Sequence, residues 1–220
     1  MSPSGTLRLT LYNPAVAGLR YLALGDSYTI GTGASRESSN FPSYLARRLR
    51  EEAGAPVQVH NPAVDGFTTR DLIDRELVQV AAPPDLCTVL IGANDVVQRV
   101  APDGYRRNLG LIYDFVRSFD LAVGRTAALS IPDFSRAPTA STFDAPAALS
   151  ARIDAFNAIA RQEAQGRGFL WIDLTEVSRS GADRPGWWAA DRLHPSDAQY
   201  LKWAGWIWES LGAAWVAAAS

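Results

Sequence analysis

Cysteine, histidine and lysine are scarce in this sequence of 220 residues, and each scarcity excludes a class of protein. Cys87 is the only cysteine, so no disulfide bond can form within the chain. Because the two histidines and Cys87 form no cluster in the sequence, we expect no metal ion at the site. The net charge is −2 and Lys202 is the only lysine, so the basic stripe typical of a nucleic-acid partner is absent.

Long apolar runs are also absent. No stretch reaches the length that a membrane span needs, so we expect no stable membrane insertion. Residues Met1 to Thr10 contain no charged segment followed by an apolar block, which a secretory signal would require. The sequence therefore predicts a cytoplasmic protein.

Three common motifs of nucleotide-binding proteins and serine hydrolases are missing. The segment from Gly31 to Gly33 lacks the third glycine of the dinucleotide fingerprint, and no phosphate-binding loop with a Gly-Lys-Ser/Thr ending is present. Ser27 is followed by Tyr28 and Thr29, which does not match the Gly-x-Ser-x-Gly nucleophile elbow of α/β-hydrolases. We therefore predict no nucleotide and no other cofactor.

What the sequence does contain is an alternation of short apolar runs and longer amphipathic stretches. This rhythm predicts an α/β fold in which a parallel sheet is covered by helices on both faces. We expect residues 19–220 to form a single domain, and residues 1–18 an N-terminal arm or an added edge strand at Thr6–Leu11. The predicted strands are Tyr21–Leu24, Val57–His60, Leu86–Ile91, Thr126–Ile131 and Phe169–Ile172, and the predicted helices are Phe41–Ala53, Thr69–Val80, Asp103–Ser118 and Ala147–Gln165.

The last helix has the clearest pattern. Ser196 and Gln199 have the spacing of a capping box, so we predict that the helix begins there. Apolar residues then recur at helical spacing and predict a buried stripe. The stripe comprises Leu201, Ala204, Trp208, Leu211 and Trp215.

A candidate nucleophile follows the first predicted strand. The apolar run ends at Gly25, and Asp26 and Ser27 come directly after it. Ligands in open α/β sheets bind beyond the C-terminal ends of the strands, so this position places Ser27 at the mouth of a site. A serine that only caps the next turn would have the same local sequence.

A serine hydroxyl needs a general base, and the chain has two histidines that could serve. His194 lies three residues after Asp191, a spacing at which the carboxylate can accept the Nδ1 proton and leave Nε2 facing the serine. His60 ends a predicted strand and has no carboxylate at a useful nearby spacing, so we assign it a structural role.

Two further segments could supply donors for an oxyanion. Gly66 lies in the segment after the second predicted strand, where its backbone N–H can approach a substrate closely. Asn94 follows the third strand and could direct a side-chain N–H into the same space. Each residue alone is an ordinary turn residue, and it is their occurrence together with Ser27 and His194 that is informative.

Taken together, these short blocks resemble the four conserved blocks of the SGNH, or GDSL-type, hydrolase family, in the same order. The resemblance implies a flavodoxin-like three-layer α/β/α sandwich with a five-stranded parallel sheet of order 2-1-3-4-5. It implies a triad of Ser27, Asp191 and His194, and an oxyanion hole formed by the Ser27 N–H, Gly66 and Asn94. Tyr28 and Arg192 depart from the residues usual in the family, and some relatives orient the histidine with a backbone carbonyl in place of Asp191.

This resemblance implies a serine esterase that hydrolyses carboxylic esters, with short acyl or acetyl esters as the expected small-molecule substrates. Trp187, Trp188 and Phe134 are candidate residues for the substrate pocket, and the two tryptophans could equally serve loop packing. The long segment Pro132–Pro146 is expected to be a loop that lines the site. Two alternatives stay open: a thioesterase or lysophospholipase-type acyl hydrolase, and a non-catalytic member that binds an ester or a carbohydrate.

Overall fold

The computed structural model describes residues 18–219, which are built around a parallel sheet of five strands. The strand order is 2-1-3-4-5, and every neighbouring pair in this sheet is parallel. This confirms the predicted fold class and strand order, and each predicted strand boundary lies within two residues of the observed one. The strands are β1 (Leu19–Gly25), β2 (Val57–His60), β3 (Leu86–Leu90), β4 (Thr126–Leu129) and β5 (Leu170–Ile172).

Burial along the strands follows from their place in the sheet. The central strands β3 and β4 are buried at every residue, because helices cover both faces of a parallel sheet. Cys87 lies within β3 and is fully buried, which fits a small apolar residue of the core. At the edge of the sheet β2 has exposed and half-buried residues, since only part of its surface is covered.

Helices pack in pairs on the sheet: α2 contacts α8, and α5 contacts α6. Asn40 begins α2 by accepting a hydrogen bond from the Ser43 N–H at 2.8 Å, and Gly54 ends it in a left-handed conformation, so both predicted bounds of this helix are confirmed. The helices are α1 (Ser27–Ile30), α2 (Phe41–Ala53), α3 (Thr69–Asp71), α4 (Ala93–Val97), α5 (Pro102–Arg117), α6 (Pro146–Gln165), α7 (Thr175–Arg179) and α8 (Asp197–Ala218).

The predicted helix Thr69–Val80 is not continuous. After α3 the chain forms a π turn at Leu72–Glu76, in which the Leu77 N–H donates to the Leu72 carbonyl, and then a 3₁₀ turn at Leu77–Gln79. A single π turn is too short to change the spacing of apolar residues, so the sequence pattern predicted a regular helix.

The beginning of α8 also differs from the prediction. Ser196 precedes the helix, but its Oγ is buried without a hydrogen-bond partner among the described residues, so the predicted capping box is wrong. Gln199 cannot complete the box because its amide group hydrogen-bonds to Trp187 instead. The predicted stripe is buried except at its first residue, since Leu201 is 53% exposed and Trp203 lies inside in its place.

The predicted N-terminal arm or edge strand falls on residues 1–17, which lie outside the described part of the chain. Within residues 18–219, no helix is both long enough and apolar enough to cross a membrane.

Candidate active site

Three of the sequence-predicted segments meet at one edge of the sheet. Ser27 follows β1, the segment containing Gly66 follows β2, and Asn94 follows β3. These strands are neighbours in the order β2-β1-β3 and run in the same direction, so their C-terminal ends lie side by side. The chain leaves β1 towards β2 and leaves β3 towards β4, so the connections from these two neighbouring strands run in opposite directions, and this is where α/β folds place their ligand sites.

The turn that carries Ser27 depends on Gly25 and Asp26. A Cβ atom on Gly25 would overlap the carbonyl oxygen of Leu90, so only glycine allows the ends of β1 and β3 to approach this closely. The Asp26 carboxylate accepts a hydrogen bond from the Tyr28 N–H at 3.0 Å and thereby caps α1. Ser27 is the first residue of α1, and its N–H and Oγ form no hydrogen bond within residues 18–219, so both can face a ligand.

His194 is held by Asp191 through both side chain and backbone. The His194 Nδ1 atom lies 2.6 Å from one carboxylate oxygen of Asp191. The other oxygen accepts the backbone N–H groups of Leu193 and His194, each at 3.0 Å. Burial opposes the ionisation of Asp191, but the hydrogen bond from His194 and the two backbone bonds outweigh it and hold its pKa below the usual range. The carboxylate therefore orients the ring, and Nε2 is left without a partner among the described residues.

Contacts with the start of α1 bring His194 towards Ser27. The Tyr28 ring, next to Ser27 in the chain, packs edge-on against the imidazole with 5.9 Å between ring centroids. Gly33 follows α1 with a φ of +89°, and a Cβ placed there would lie 2.9 Å from the Cβ of His194. Tyr200 in α8 donates a hydrogen bond to the Thr32 carbonyl at 2.9 Å, which ties the helix after His194 to the same turn.

The two predicted oxyanion donors belong to neighbouring loops that are joined to each other. Gly66 has a φ of +80°, and no atom lies within 4 Å of the position a Cβ would take, so the space beside it is open. One N–H of the Asn94 amide donates to the Phe67 carbonyl at 3.0 Å, which leaves the second N–H available. The adjacent Asp95 is fully buried and accepts the Thr69 N–H and hydroxyl at 2.8 and 2.6 Å.

Two side chains connect the loop after β2 to the turn that carries Ser27. The Asn61 amide donates to the Thr29 carbonyl at 2.9 Å. The Thr32 hydroxyl donates to the carboxylate of Asp65, the residue before Gly66. These bonds position Gly66 relative to α1, so the candidate oxyanion donors and the candidate nucleophile are parts of one connected arrangement.

The three aromatic rings predicted for the substrate pocket have packing partners inside the protein. Trp187 is 6% exposed and lies over Gly181, and the Nε1 of Trp188 donates to the Ala182 carbonyl at 3.0 Å. Phe134 is buried with its ring centroid 6.5 Å from that of Tyr28. These contacts favour a supporting role, while a direct role in binding substrate stays a prediction.

The rim of the site is formed in part by the segment that follows β4. This segment contains two short 3₁₀ turns, Phe134–Arg136 and Ala140–Thr142, and Thr139 between them donates a hydrogen bond to the Arg192 carbonyl at 3.0 Å. Arg192 itself has a φ of +62°, a left-handed conformation that is strained for any residue other than glycine. Arg192 therefore adds backbone strain close to His194.

His60 ends β2 as an exposed residue, and its side chain forms no hydrogen bond or ion pair with residues 18–219. Sequence reasoning did not single out Tyr200, Thr32 or Glu76, although each is linked to the Ser27 turn. For Glu76 a signal was present, because a glutamate occupies a position of apolar periodicity between Leu72 and Val80.

The model of the GDSL-like lipase/acylhydrolase family matches residues 23–202 of this chain. No curated protein sequence matches the chain closely enough to count as a relative.

Several solved structures share the fold. The protein TesA is 22% identical, with a TM-score of 0.71, and the match covers 88% of this chain and 98% of TesA. A lipase/acylhydrolase from Enterococcus faecalis is 21% identical, with a TM-score of 0.69 and coverage of 89% and 96%. An acetylxylan esterase from Geobacillus stearothermophilus is 21% identical, with a TM-score of 0.68 and coverage of 90% and 96%.

Proposed function

Because the chain belongs to the GDSL-like lipase/acylhydrolase family, we propose that it is a serine esterase that hydrolyses carboxylic esters through an acyl-enzyme on Ser27. The observation that carries this proposal is the 2.6 Å bond between Asp191 and His194, on a turn that packs against the residue next to Ser27. This arrangement offers a base that is already oriented and a hydroxyl that forms no hydrogen bond with the residues that the structure describes.

In the first step Nε2 of His194 removes the proton of Ser27 as Oγ attacks the ester carbonyl. The tetrahedral intermediate breaks down when His194 returns that proton to the leaving alcohol, and the acyl group stays on Ser27. A water molecule then attacks the acyl-enzyme with the same histidine as base, which releases the acid and restores the hydroxyl. Asp191 stays ionised throughout and stabilises the imidazolium that forms in each step.

The oxyanion of each tetrahedral intermediate is stabilised by three donors. The Ser27 N–H stands at the N-terminus of α1, the Gly66 N–H borders open space, and the second N–H of the Asn94 amide is unused. Donors that are already in place cost no reorganisation when charge develops, and each one is worth about 10²–10³ in rate.

The proposed substrates are short acyl or acetyl esters. Trp187 and Phe134 are buried in the protein's own packing, which reduces the apolar surface available to a long acyl chain. The acetylxylan esterase of the same fold acts, by its name, on an acetyl ester, which is in line with a small acyl group.

The test compares the wild-type protein with Ser27→Ala in the hydrolysis of p-nitrophenyl acetate, butyrate and octanoate. We expect the variant to lose at least about 10³ in kcat, since only the oxyanion donors and binding remain. Ser38→Ala, at an exposed serine eleven positions further along the chain, is the matched control and should keep full activity. A fluorophosphonate probe should label the wild type and not Ser27→Ala, and undiminished hydrolysis by Ser27→Ala would refute the proposal.

A further inference from the structure

Two carboxyl groups are completely buried beneath the candidate nucleophile. Asp26 and Glu76 each have no exposed surface. One oxygen of Asp26 accepts the Tyr28 N–H, and one oxygen of Glu76 accepts the Gly25 N–H, both at 3.0 Å. The second oxygen of each group is buried and has no hydrogen-bond partner among the described residues. Two unpartnered carboxyl oxygens therefore lie next to the strand end that carries Ser27.

No cation compensates these groups. Within residues 18–219, no arginine, lysine or histidine lies within ion-pair distance of either carboxyl. A buried carboxylate without a counter-ion is strongly destabilised, so such a group takes up a proton instead. Two neighbouring carboxylates that share a site cannot both be ionised without further cost.

The surroundings of the pair add negative charge or none. Asp65 from the loop after β2 and Asp95 from α4 both disfavour ionisation of Asp26, and the tyrosines that face it are neutral. Tyr28 comes from α1, Tyr105 from α5 and Tyr200 from α8. Burial is the main cause that raises the pKa of Asp26 to about 7 and that of Glu76 to about 8, with Asp26 adding to the rise at Glu76.

The Glu76 side chain links the π turn to the end of β1. Glu76 is the last residue of the π turn Leu72–Glu76, and its side chain reaches a backbone N–H in β1, 51 positions away in the sequence. Gly25 is also the residue that pairs with Leu90 at the end of β3. Glu76 is therefore bonded directly to the residue that ends β1, two positions before Ser27.

A proton on Glu76 removes the charge that burial disfavours. Protonated Glu76 can still accept the Gly25 N–H with its carbonyl oxygen, so the bond to the end of β1 does not require an ionised carboxylate.

We propose that Glu76 is a positioning residue for Ser27, which keeps a proton in its buried site and, through its hydrogen bond to the Gly25 N–H, fixes the strand end on which the nucleophile is carried. This inference rests on the proposed role of Ser27. Glu76 touches neither substrate nor the reacting atoms, and it acts through Gly25.

Two variants of the full chain separate this role from simple burial. In Glu76→Gln the amide oxygen can accept the Gly25 N–H, so this bond is kept without a titrating group. In Glu76→Leu the bond is lost while a buried side chain of similar size is kept. Glu209→Gln, at an exposed glutamate of α8, is the control and should behave as wild type.

The experiment measures kcat and KM for p-nitrophenyl acetate from pH 6 to 9.5, together with the rate of fluorophosphonate labelling of Ser27. At pH 7 we expect Glu76→Leu to lose about tenfold or more in kcat with little change in KM, because a misplaced nucleophile slows the chemical step. Glu76→Gln should stay near the wild type at pH 7 and keep its kcat above pH 8, where the wild type declines as Glu76 loses its proton. A wild-type kcat in Glu76→Leu, or a decline in Glu76→Gln parallel to the wild type, would overturn the proposal.

A second measurement tests the proposal even if Glu76→Leu fails to fold. Carbon-13 spectra of the wild type labelled at glutamate side-chain carboxyls should contain one resonance, absent in Glu76→Gln, that titrates near pH 8. If that resonance titrates near pH 4 instead, Glu76 is ionised at neutral pH and the proposal is wrong. Failure of the proposed function is a separate result, because Ser27→Ala would then hydrolyse the ester as fast as the wild type whatever the carbon-13 titration shows.

Discussion

The buried carboxyl group of Glu76 predicts a contribution to stability that falls as the pH rises, which is the opposite of what a carboxyl group with a lowered pKa contributes. In the unfolded chain this group has an ordinary pKa of 4.5, and burial in the folded protein raises it to about 8. Between these values the folded state binds a proton that the unfolded state does not. Stability is therefore full below about pH 4.5, falls as the pH rises, and is lost through about pH 8.

The size of the effect follows from one bound proton. Each pH unit within the window costs about 1.4 kcal/mol of unfolding free energy per proton, so raising the pH from 5.5 to 7.5 removes about 3 kcal/mol. Burial raises the pKa of Asp26 as well, so this group contributes in the same sense, whereas Asp191, whose hydrogen bonds lower its pKa, contributes in the opposite sense. The difference in unfolding free energy between the wild type and Glu76→Gln cancels the contributions that both proteins share, and what remains is the contribution of the Glu76 proton.

The assay is urea unfolding followed by tryptophan fluorescence at half-unit steps from pH 5.5 to 8, for the wild type, Glu76→Gln and Glu209→Gln. We expect the stability of Glu76→Gln relative to the wild type to improve by about 3 kcal/mol between pH 5.5 and 7.5. The curve of Glu209→Gln should run parallel to that of the wild type. Parallel curves for Glu76→Gln and the wild type would show that Glu76 does not hold a proton in the folded state.

Two further substitutions test the site itself. Asn94→Ala removes one proposed oxyanion donor and should lower kcat for p-nitrophenyl acetate by about 10²–10³, with labelling at Ser27 slowed as well; an unchanged kcat would exclude this donor. Gly33→Ala places a Cβ 2.9 Å from the Cβ of His194 in a left-handed backbone, so we expect both lower stability in urea and reduced activity. Gly186→Ala is its matched control, since Gly186 has a φ of +75° with no atom within 4 Å, and it should show the backbone strain without the loss of activity.

The connections around Ser27 explain how a turn of four residues can be held firmly. The turn receives bonds from the loop after β2 through Asn61, from α8 through Tyr200, and from the π turn through Glu76. These partners come from three different parts of the chain. Side chains that are locked by such surroundings keep catalytic groups near their productive geometry.

Much of the fold could be predicted from the sequence because its signals are local and repeated. The apolar run in β3 is buried on both faces, and the polar residues after each strand mark where the strands end. The sequence also indicates where a regular helix such as α2 begins and ends, here through Asn40 and Gly54. Where side chains are used by a distant partner the local signal failed, as at Ser196 and Gln199.

The candidate site also has residues that the sequence predicted and contacts that it could not predict. Ser27, Gly66 and Asn94 were found from short motifs, because parallel strands place their C-terminal ends at one edge of the sheet whatever the details of packing. The pairing of Asp191 with His194 also followed from a spacing of three residues. The contacts of Trp187 could not be foreseen, since the sequence does not tell which neighbours a ring will meet.

By itself, then, the sequence determined the class of fold, the order of the chemical blocks and the residues that could act in them. Only the tertiary structure decided which other groups support those residues. Glu76 shows the reason: its partner Gly25 lies 51 positions away, and its burial depends on elements that converge only in the folded chain. Periodicity identifies the face on which a side chain lies, whereas its protonation state depends on the solvent and the charges that folding removes or brings near.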